Sequence, residues 1–324
     1  MAIQALYDVA APAKINLFLH VIGRRADGYH LLQSVFVLVD WMDTLHFEVR
    51  DDARLRRHDL SATLPDDDLC LRAARLLQLR SGTRLGADIS IDKQVPWGAG
   101  LGGGSSDAAS VLLALNRLWG LGWPLHRLLA IGLELGADVP FFLGGRNAFV
   151  EGIGERLSPV DVPPQWLAVL KPAAAIETRS IFASPLLVRD TQAVILESFL
   201  VGARKLQSRQ RDKQRGGQYD KQALRKPGRD GLTEGACEDW LGDFGRNDLQ
   251  AAASALCAEV AQAAELLQAL FGNSRMTGSG SAVFARAGTQ AQPSAVLPAR
   301  MAPGWVGRMC RSLEIHPLCG WASD

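Results

Sequence analysis

The chain has 324 residues, 48% of them hydrophobic, enough to bury a substantial core and to predict two domains. A net charge of +1 argues against whole-surface attraction to nucleic acid or membrane, and no apolar run approaches the ~18 residues that span a bilayer. The five cysteines (Cys70, Cys237, Cys257, Cys310, Cys319) are odd in number and lack C-x-x-C spacing. They read as reduced thiols, and the absence of a basic, apolar leader pattern in Met1 to Ala10 leads us to expect a soluble cytoplasmic protein.

In chain order, Ala11 to Val21 alternates as a strand, and Lys14 and Asn16 share one of its faces. Arg24-Arg25-Ala26-Asp27-Gly28-Tyr29-His30 follows, with Asp-Gly turn chemistry, and leads into apolar strands at Leu31 to Val39 and Leu45 to Arg50. After a charged, irregular stretch, Asp66 to Leu79 has helical spacing, with Asp66, Asp67 and Asp68 at the end that the helix dipole favours for acids. Ala87 to Val95 is a short alternating strand carrying Lys93.

The stretch that organises the chain comes next: Pro96-Trp97-Gly98-Ala99-Gly100-Leu101-Gly102-Gly103-Gly104-Ser105-Ser106-Asp107. Strand, glycine-rich loop and helix start make an anion cradle, because glycines let backbone approach a ligand and the helix end leaves N–H groups unpaired. Ser105, Ser106 and Asp107 supply cap chemistry for that end. A Walker loop is excluded, since no lysine lies between Pro96 and Leu118. Gly98-x-Gly100-x-x-Gly103 fits a dinucleotide fingerprint formally, but a turn, Trp119 to Pro124, stands where that fold needs a second strand and an acid.

Helical patterns follow at Ala108 to Trp119 and Pro124 to Glu134. Gly136-Ala137-Asp138-Val139-Pro140 then sets a carboxylate among apolar residues, which raises its pKa unless a cation compensates. Phe149 to Glu155 closes the first half as strand and glycine turn. Trp166 to Lys171 reads as a strand, and Glu177 to Ala183 as a helix start with Thr178 near its cap. Arg204 to Asp230 holds ten basic residues against three acidic ones and few apolar anchors, so it reads as a mobile insertion. Leu249 to Phe271 is one helical pattern, Arg275 to Ala285 a small-residue loop running into a strand, and the remainder one helix–strand pair.

The glycine loop resembles the phosphate-binding motif of the GHMP kinases. Pro12-x-Lys14-x-Asn16-Leu17 resembles their first motif, Gly136-Ala137-Asp138-Val139-Pro140 their aspartate motif, and Thr277-Gly278-Ser279-Gly280-Ser281 their third. Arg25-x-Asp27-Gly28-Tyr29-His30 is similar to the branch whose alcohol substrate carries a cytidine diphosphate, 4-diphosphocytidyl-2-C-methyl-D-erythritol. The resemblance implies an α+β, two-domain GHMP kinase fold, divided as 1–157 and 158–324, with the active site in the interdomain cleft. It implies ATP as phosphoryl donor, Mg2+, a small-molecule acceptor phosphorylated at its 2-hydroxyl, and a step of isoprenoid biosynthesis. No nucleic acid or membrane partner is expected, and the chain would be a monomer or homodimer.

By that resemblance Asp138 takes the hydroxyl proton with Lys14 beside it, and the loop from Pro96 to Ser106 holds ATP, with Lys93 a further neighbour. Ser106 is the candidate magnesium ligand by loop position, with Glu134 the nearest acid upstream of Asp138. Asn16 and Thr178 hold substrate, His30 bonds the base edge, and Tyr29 and Phe182 sandwich the cytosine. Asp68 stands where the family has an asparagine near the adenine. Two readings compete: another small-alcohol kinase of the homoserine or mevalonate type, and a non-catalytic nucleotide-binding module.

Overall fold

The computed structural model describes residues 3–195 and 245–324. The basic stretch from Arg204 to Asp230 lies outside the described residues. The first half is built on two long antiparallel strands, β1 (Ala5–Arg24) and β2 (His30–Arg50). Strand β4 (Gly86–Asp92) and strand β5 (Ala148–Gly152) also pair with β2; β3 (Leu55–Asp59) runs parallel to β4, and β6 (Arg156–Pro159) is antiparallel to β5. The helices of this half are α1 (Leu69–Ser81), α2 (Gly103–Leu118), α3 (Leu125–Leu135) and the short α4 (Val139–Gly144).

The second half has a four-stranded sheet in the order β10-β7-β9-β8: β7 (Trp166–Lys171), β8 (Arg275–Met276), β9 (Val283–Arg286) and β10 (Val306–Arg311). Its helices are α5 (Thr178–Ala183), α6 (Gln250–Leu256) and α7 (Ala258–Phe271).

Side-chain alternation along β2, reset by a register shift between Leu38 and Met42, divides the molecule into layers. Phe36, Leu38, Leu45 and Phe47 pack with α1, α2, α3 and α4. Val35, Val37, Val39 and Trp41 face the other way, against Leu167 and Val169 of β7 and Phe284 of β9. The far face of that second sheet, through Ala168, Leu170, Val283 and Ala285, is covered by α6 and α7. Helices, sheet, sheet and helices therefore stack in an α+β architecture. Val95 at the root of the glycine loop, and Ala99 and Leu101 within it, are buried in the middle core, between the two sheets.

Several local expectations change. The segments at Leu31 to Val39 and Leu45 to Arg50 belong to one strand, since no glycine or proline interrupts residues 40–44 and Asp43 stays in register with Ala11. Helix α1 starts at Leu69, with Asp68 as its cap accepting from the amides of Cys70 and Leu71, so Asp66 and Asp67 precede the helix. Arg57 also pairs with Asp68, at 2.7 Å, which accounts for an acid where the family has asparagine. The pattern from Leu249 to Phe271 is broken at Cys257, whose extended backbone separates α6 from α7.

The C-terminal segment forms β10 but, among the described residues, no further helix. After Arg311 it returns to the first half: Ser312 bridges Val39, Ile315 bridges Arg146, and Leu318 enters the first core with Trp321 against it. The chain passes from the first sheet to the second between Pro159 and Trp166. Among the described residues no helix is long and apolar enough to cross a membrane.

Candidate active site

Helix α2 leaves the glycine loop with Gly102 at its cap position and no side-chain cap. Ser105, Ser106 and Asp107, expected as caps, lie inside the helix instead; Ser106 N donates to Gly102 O at 2.9 Å, the i-to-i−4 bond of its first turn. The α2 N-terminus thus presents backbone donors and a positive dipole end without a competing side-chain acceptor.

Two glycines are required by space. At Gly102 (φ +72°) a Cβ would stand 3.0 Å from Phe142 Cζ and 3.1 Å from Lys14 Cγ. At Gly100 (φ +72°) it would stand 2.3 Å from the Thr277 carbonyl oxygen. The second small-residue loop therefore closes directly on the first, with Ala282 N donating to Ala99 O at 3.1 Å. Beside them Pro96, Trp97, Leu64, Pro65, Lys93 and Val306 line a largely apolar cavity of ≈ 610 Å3, where Trp97 is 75% exposed.

Lys93, expected as a neighbour of the nucleotide, has its ammonium committed beneath the loop. It donates to Asp107 Oδ2 at 2.6 Å and to Asp43 Oδ2, and all three side chains are buried. Burial works against the Lys93 charge, but Asp107 and Asp43 outweigh it and hold its pKa above the ordinary lysine value. Burial, reinforced by the neighbouring Asp43 charge, pushes the Asp107 carboxyl well up although Lys93 opposes it. Asp43 Oδ1 accepts from the amides of Gln94 and Val95 at 2.6 and 2.7 Å, anchoring the loop's root.

On the other side, Lys14 and Asp138 come together, with Lys14 Nζ 3.6 Å from Asp138 Oδ2. Lys14 is buried, donates to Asn16 Oδ1 at 2.6 Å and lies 4.5 Å from the Phe36 ring centroid. Its backbone N donates to Leu101 O at 2.9 Å, so the cation is tied to the glycine loop. Burial lowers the Lys14 pKa, with Asp138 acting in the opposite direction. Asp138 precedes α4 and keeps a 32% exposed side chain, open to a ligand.

Asn16, expected at the substrate, is buried. Its side chain meets Lys14 and Ser34, and its backbone N donates to Thr277 Oγ1 at 2.9 Å. Glu134 pairs with Arg80 at the surface and has no part in this cluster. Ser106 Oγ is enclosed and meets no partner among the described residues, where no group of three or more His, Cys, Asp or Glu side chains gathers to hold a metal.

The expected acceptor residues collect at the turn before β2 and at α5. Tyr29 is 61% exposed, but Phe182 does not face it across an open slot: His30 stacks on Phe182 at 4.8 Å between centroids. Burial first, and then Arg189 and Arg24, lower the His30 pKa. Thr178 Oγ1 lies 2.7 Å from Ser279 Oγ, which joins α5 to the second small-residue loop. Sequence reasoning missed Asp43, Ser34 and Arg189 as site members. Only Asp43 carries a local signal, an acid inside an apolar strand that has to find a partner.

Comparisons with known proteins show the family. Residues 68–146 match the GHMP kinases N terminal domain and residues 223–299 match GHMP kinases C terminal. The chain is 60% identical over 324 residues to 4-diphosphocytidyl-2-C-methyl-D-erythritol kinase of Methylibium petroleiphilum, covering 99% of this chain and 100% of the relative. It is 51% identical to the protein of the same name from Variovorax paradoxus, covering 99% and 100%. A crystal structure of 4-(cytidine 5'-diphospho)-2C-methyl-D-erythritol kinase superposes with a TM-score of 0.64 at 32% identity, covering 88% of this chain and 90% of that one.

Proposed function

The chain belongs to the 4-diphosphocytidyl-2-C-methyl-D-erythritol kinase family of GHMP kinases, and from that premise we propose how its own residues carry the reaction. ATP gives its γ-phosphoryl group to the 2-hydroxyl of 4-diphosphocytidyl-2-C-methyl-D-erythritol, a step towards isoprenoid precursors, in the cytoplasm. The observation that carries this reading is the Lys14–Asp138 pair at 3.6 Å, tied through the Lys14 amide to the glycine loop. A base and a cation beside an anion cradle are what alcohol phosphorylation needs, because phosphoryl transfer is mainly a matter of positioning and charge.

The α2 N-terminus and the amides of Gly98 to Ser105 hold the phosphates, and the apolar cavity beside Pro96 and Trp97 takes the adenine. Lys93 acts on the nucleotide from beneath, by fixing the loop through Asp43 and Asp107. Asp138 accepts the proton of the attacking hydroxyl, while Lys14 holds that carboxylate and the developing alkoxide. Tyr29, His30, Thr178 and Phe182 bind the acceptor, and the His30–Phe182 stack opens to admit the base. Asn16 supports Lys14 from its buried position.

Magnesium, when bound, neutralises the clustered phosphate charge. Ser106 fits this role, as an enclosed hydroxyl with no partner among the described residues, and the phosphates and water would supply the other oxygen ligands. A coupled ATPase assay tests the reading: turnover should be stimulated by the diphosphocytidyl alcohol and not by homoserine or mevalonate. Stimulation by either of those alone, or no turnover, would overturn it.

A further inference from the structure

Arg189 lies outside every motif of the sequence, yet all its donor nitrogens are engaged around His30 and the end of α5. Nε donates to His30 Nε2 at 3.3 Å and Nη1 to Leu187 O at 2.9 Å. Nη2 donates to Phe182 O and Ser184 O, both at 3.0 Å. One side chain thereby gathers the carbonyls at and just beyond the end of α5, which carries Phe182, and ties them to the first residue of β2, His30. The two rings it joins in this way are stacked on each other at 4.8 Å.

The chemistry of the contact fixes more than position. A guanidinium has donors and no acceptor, so the imidazole nitrogen that meets it has to offer a lone pair. In a neutral ring the single proton then sits on Nδ1. Protonating the ring would set a cation against Arg189 and Arg24, the charged groups that, after burial, lower its pKa.

We infer that Arg189 is a positioning residue for the acceptor's base: it fixes the backbone that carries Phe182 and holds the His30 imidazole as the Nδ1–H tautomer, a hydrogen-bond donor to the ligand. A donor at this place suits cytosine, whose ring nitrogen N3 and carbonyl O2 both accept. It opposes uracil, whose N3 carries hydrogen and would leave two donors facing each other. The inference rests on the proposed cytidyl substrate for its kinetic consequence, but not for the tautomer.

The test combines 15N-resolved histidine spectra of the whole protein with steady-state kinetics of wild type and Arg189→Ala. Wild-type His30 should show the Nδ1–H tautomer, and the variant should lose that preference. The apparent KM for the diphosphocytidyl alcohol should rise about tenfold, the preference over its uridine counterpart should shrink, and KM for ATP should stay unchanged. An Nε2–H tautomer in the wild type overturns the inference, as does a variant with unaltered tautomer and acceptor KM. Equal losses for ATP and acceptor would mark a merely structural residue and overturn it too. Should Arg189→Ala fail to fold, the wild-type tautomer decides alone. A wild-type protein that ignores the cytidyl alcohol would sink the proposed substrate, while the spectra still decide on Arg189.

Discussion

Lys93 and Asp107 meet at 2.6 Å directly beneath the glycine loop, with side chains 7% and 2% exposed. With Asp43 they form a buried set in which one ammonium serves two carboxylates. Such a set is costly to assemble and more costly to break, because removing one partner strands the others away from water. It also joins three distant parts of the chain: the middle of β2, the end of β4 and the first turns of α2.

Lys93→Met should therefore destabilise the protein by roughly 3–5 kcal/mol, well above the cost of losing a surface ion pair. Urea unfolding of the variant beside Arg80→Met, which breaks an exposed pair with Glu134, gives the comparison. A Lys93→Met loss no larger than that of Arg80→Met would show that water or another group relieves the two acids.

The contact between the two small-residue loops can be isolated by a pair of alanine substitutions. Gly100 and Gly120 both have positive φ, +72° and +63°, but an added Cβ at Gly120 meets nothing within 4 Å. Gly120→Ala should cost only the left-handed backbone term, roughly 1–2 kcal/mol, with kinetics intact. Gly100→Ala adds a clash with the Thr277 carbonyl, so it should cost more and also raise the KM for ATP by forcing the loops apart. Equal stability losses and equal KM values would mean that loop closure is not needed for nucleotide binding.

The parts of this site visible in the sequence were those whose chemistry is local. The glycine loop, Trp166 to Lys171 as a strand, and the second small-residue loop all follow from residues adjacent in the chain. Lys14 and Asp138 could be paired because a carboxylate in an apolar setting calls for a cation, and the resemblance supplied one. Ser105 to Asp107 misled for the opposite reason: their composition suits a cap, but Asp107 is claimed by Lys93 fourteen positions earlier. Cys257 interrupts a helical pattern with no glycine or proline to announce it. The return of the C-terminal segment to the first core is also settled by tertiary packing, as Leu318 and Trp321 pack against elements from the first half of the chain.

That returning segment carries a pH prediction. His316 is 2% exposed; its Nδ1 accepts from Leu318 N at 3.0 Å, and its Nε2 has no partner among the described residues. Burial pushes its pKa down to about 4. The folded pKa lies below the unfolded value of about 6.5, so the unfolded state takes up the proton first as pH falls. The stability associated with a neutral His316 is complete above about pH 6.5 and is lost progressively towards pH 4, by up to roughly 3 kcal/mol. His316→Asn removes the titrating group, so unfolding midpoints should fall less steeply with acid in the variant. Parallel acid profiles for the two proteins would rule out His316 as the source.

The chemistry itself is tested at Lys14 and Asp138. An alcohol is a poor nucleophile near neutral pH, and general-base help is worth typically 10²–10⁴-fold. Asp138→Asn keeps the shape of the side chain but takes no proton, so kcat should drop by about that factor while ATP affinity holds. Lys14→Met removes a buried charge at similar volume and should damage kcat comparably. The two groups are 3.6 Å apart and act as a unit, so the double variant should be far less impaired than the product of the single effects. Because burial lowers the Lys14 pKa, the charge on Lys14 is lost, and activity with it, as pH rises through a value below the ordinary lysine range. The alkaline limb of the kcat profile should therefore begin earlier than a solvent-exposed lysine would allow, and should vanish from the residual activity of Lys14→Met. Single-turnover rates for the four proteins at saturating ATP and magnesium decide the matter. A near-wild-type rate in Asp138→Asn would remove it as the base and leave positioning alone to carry the transfer.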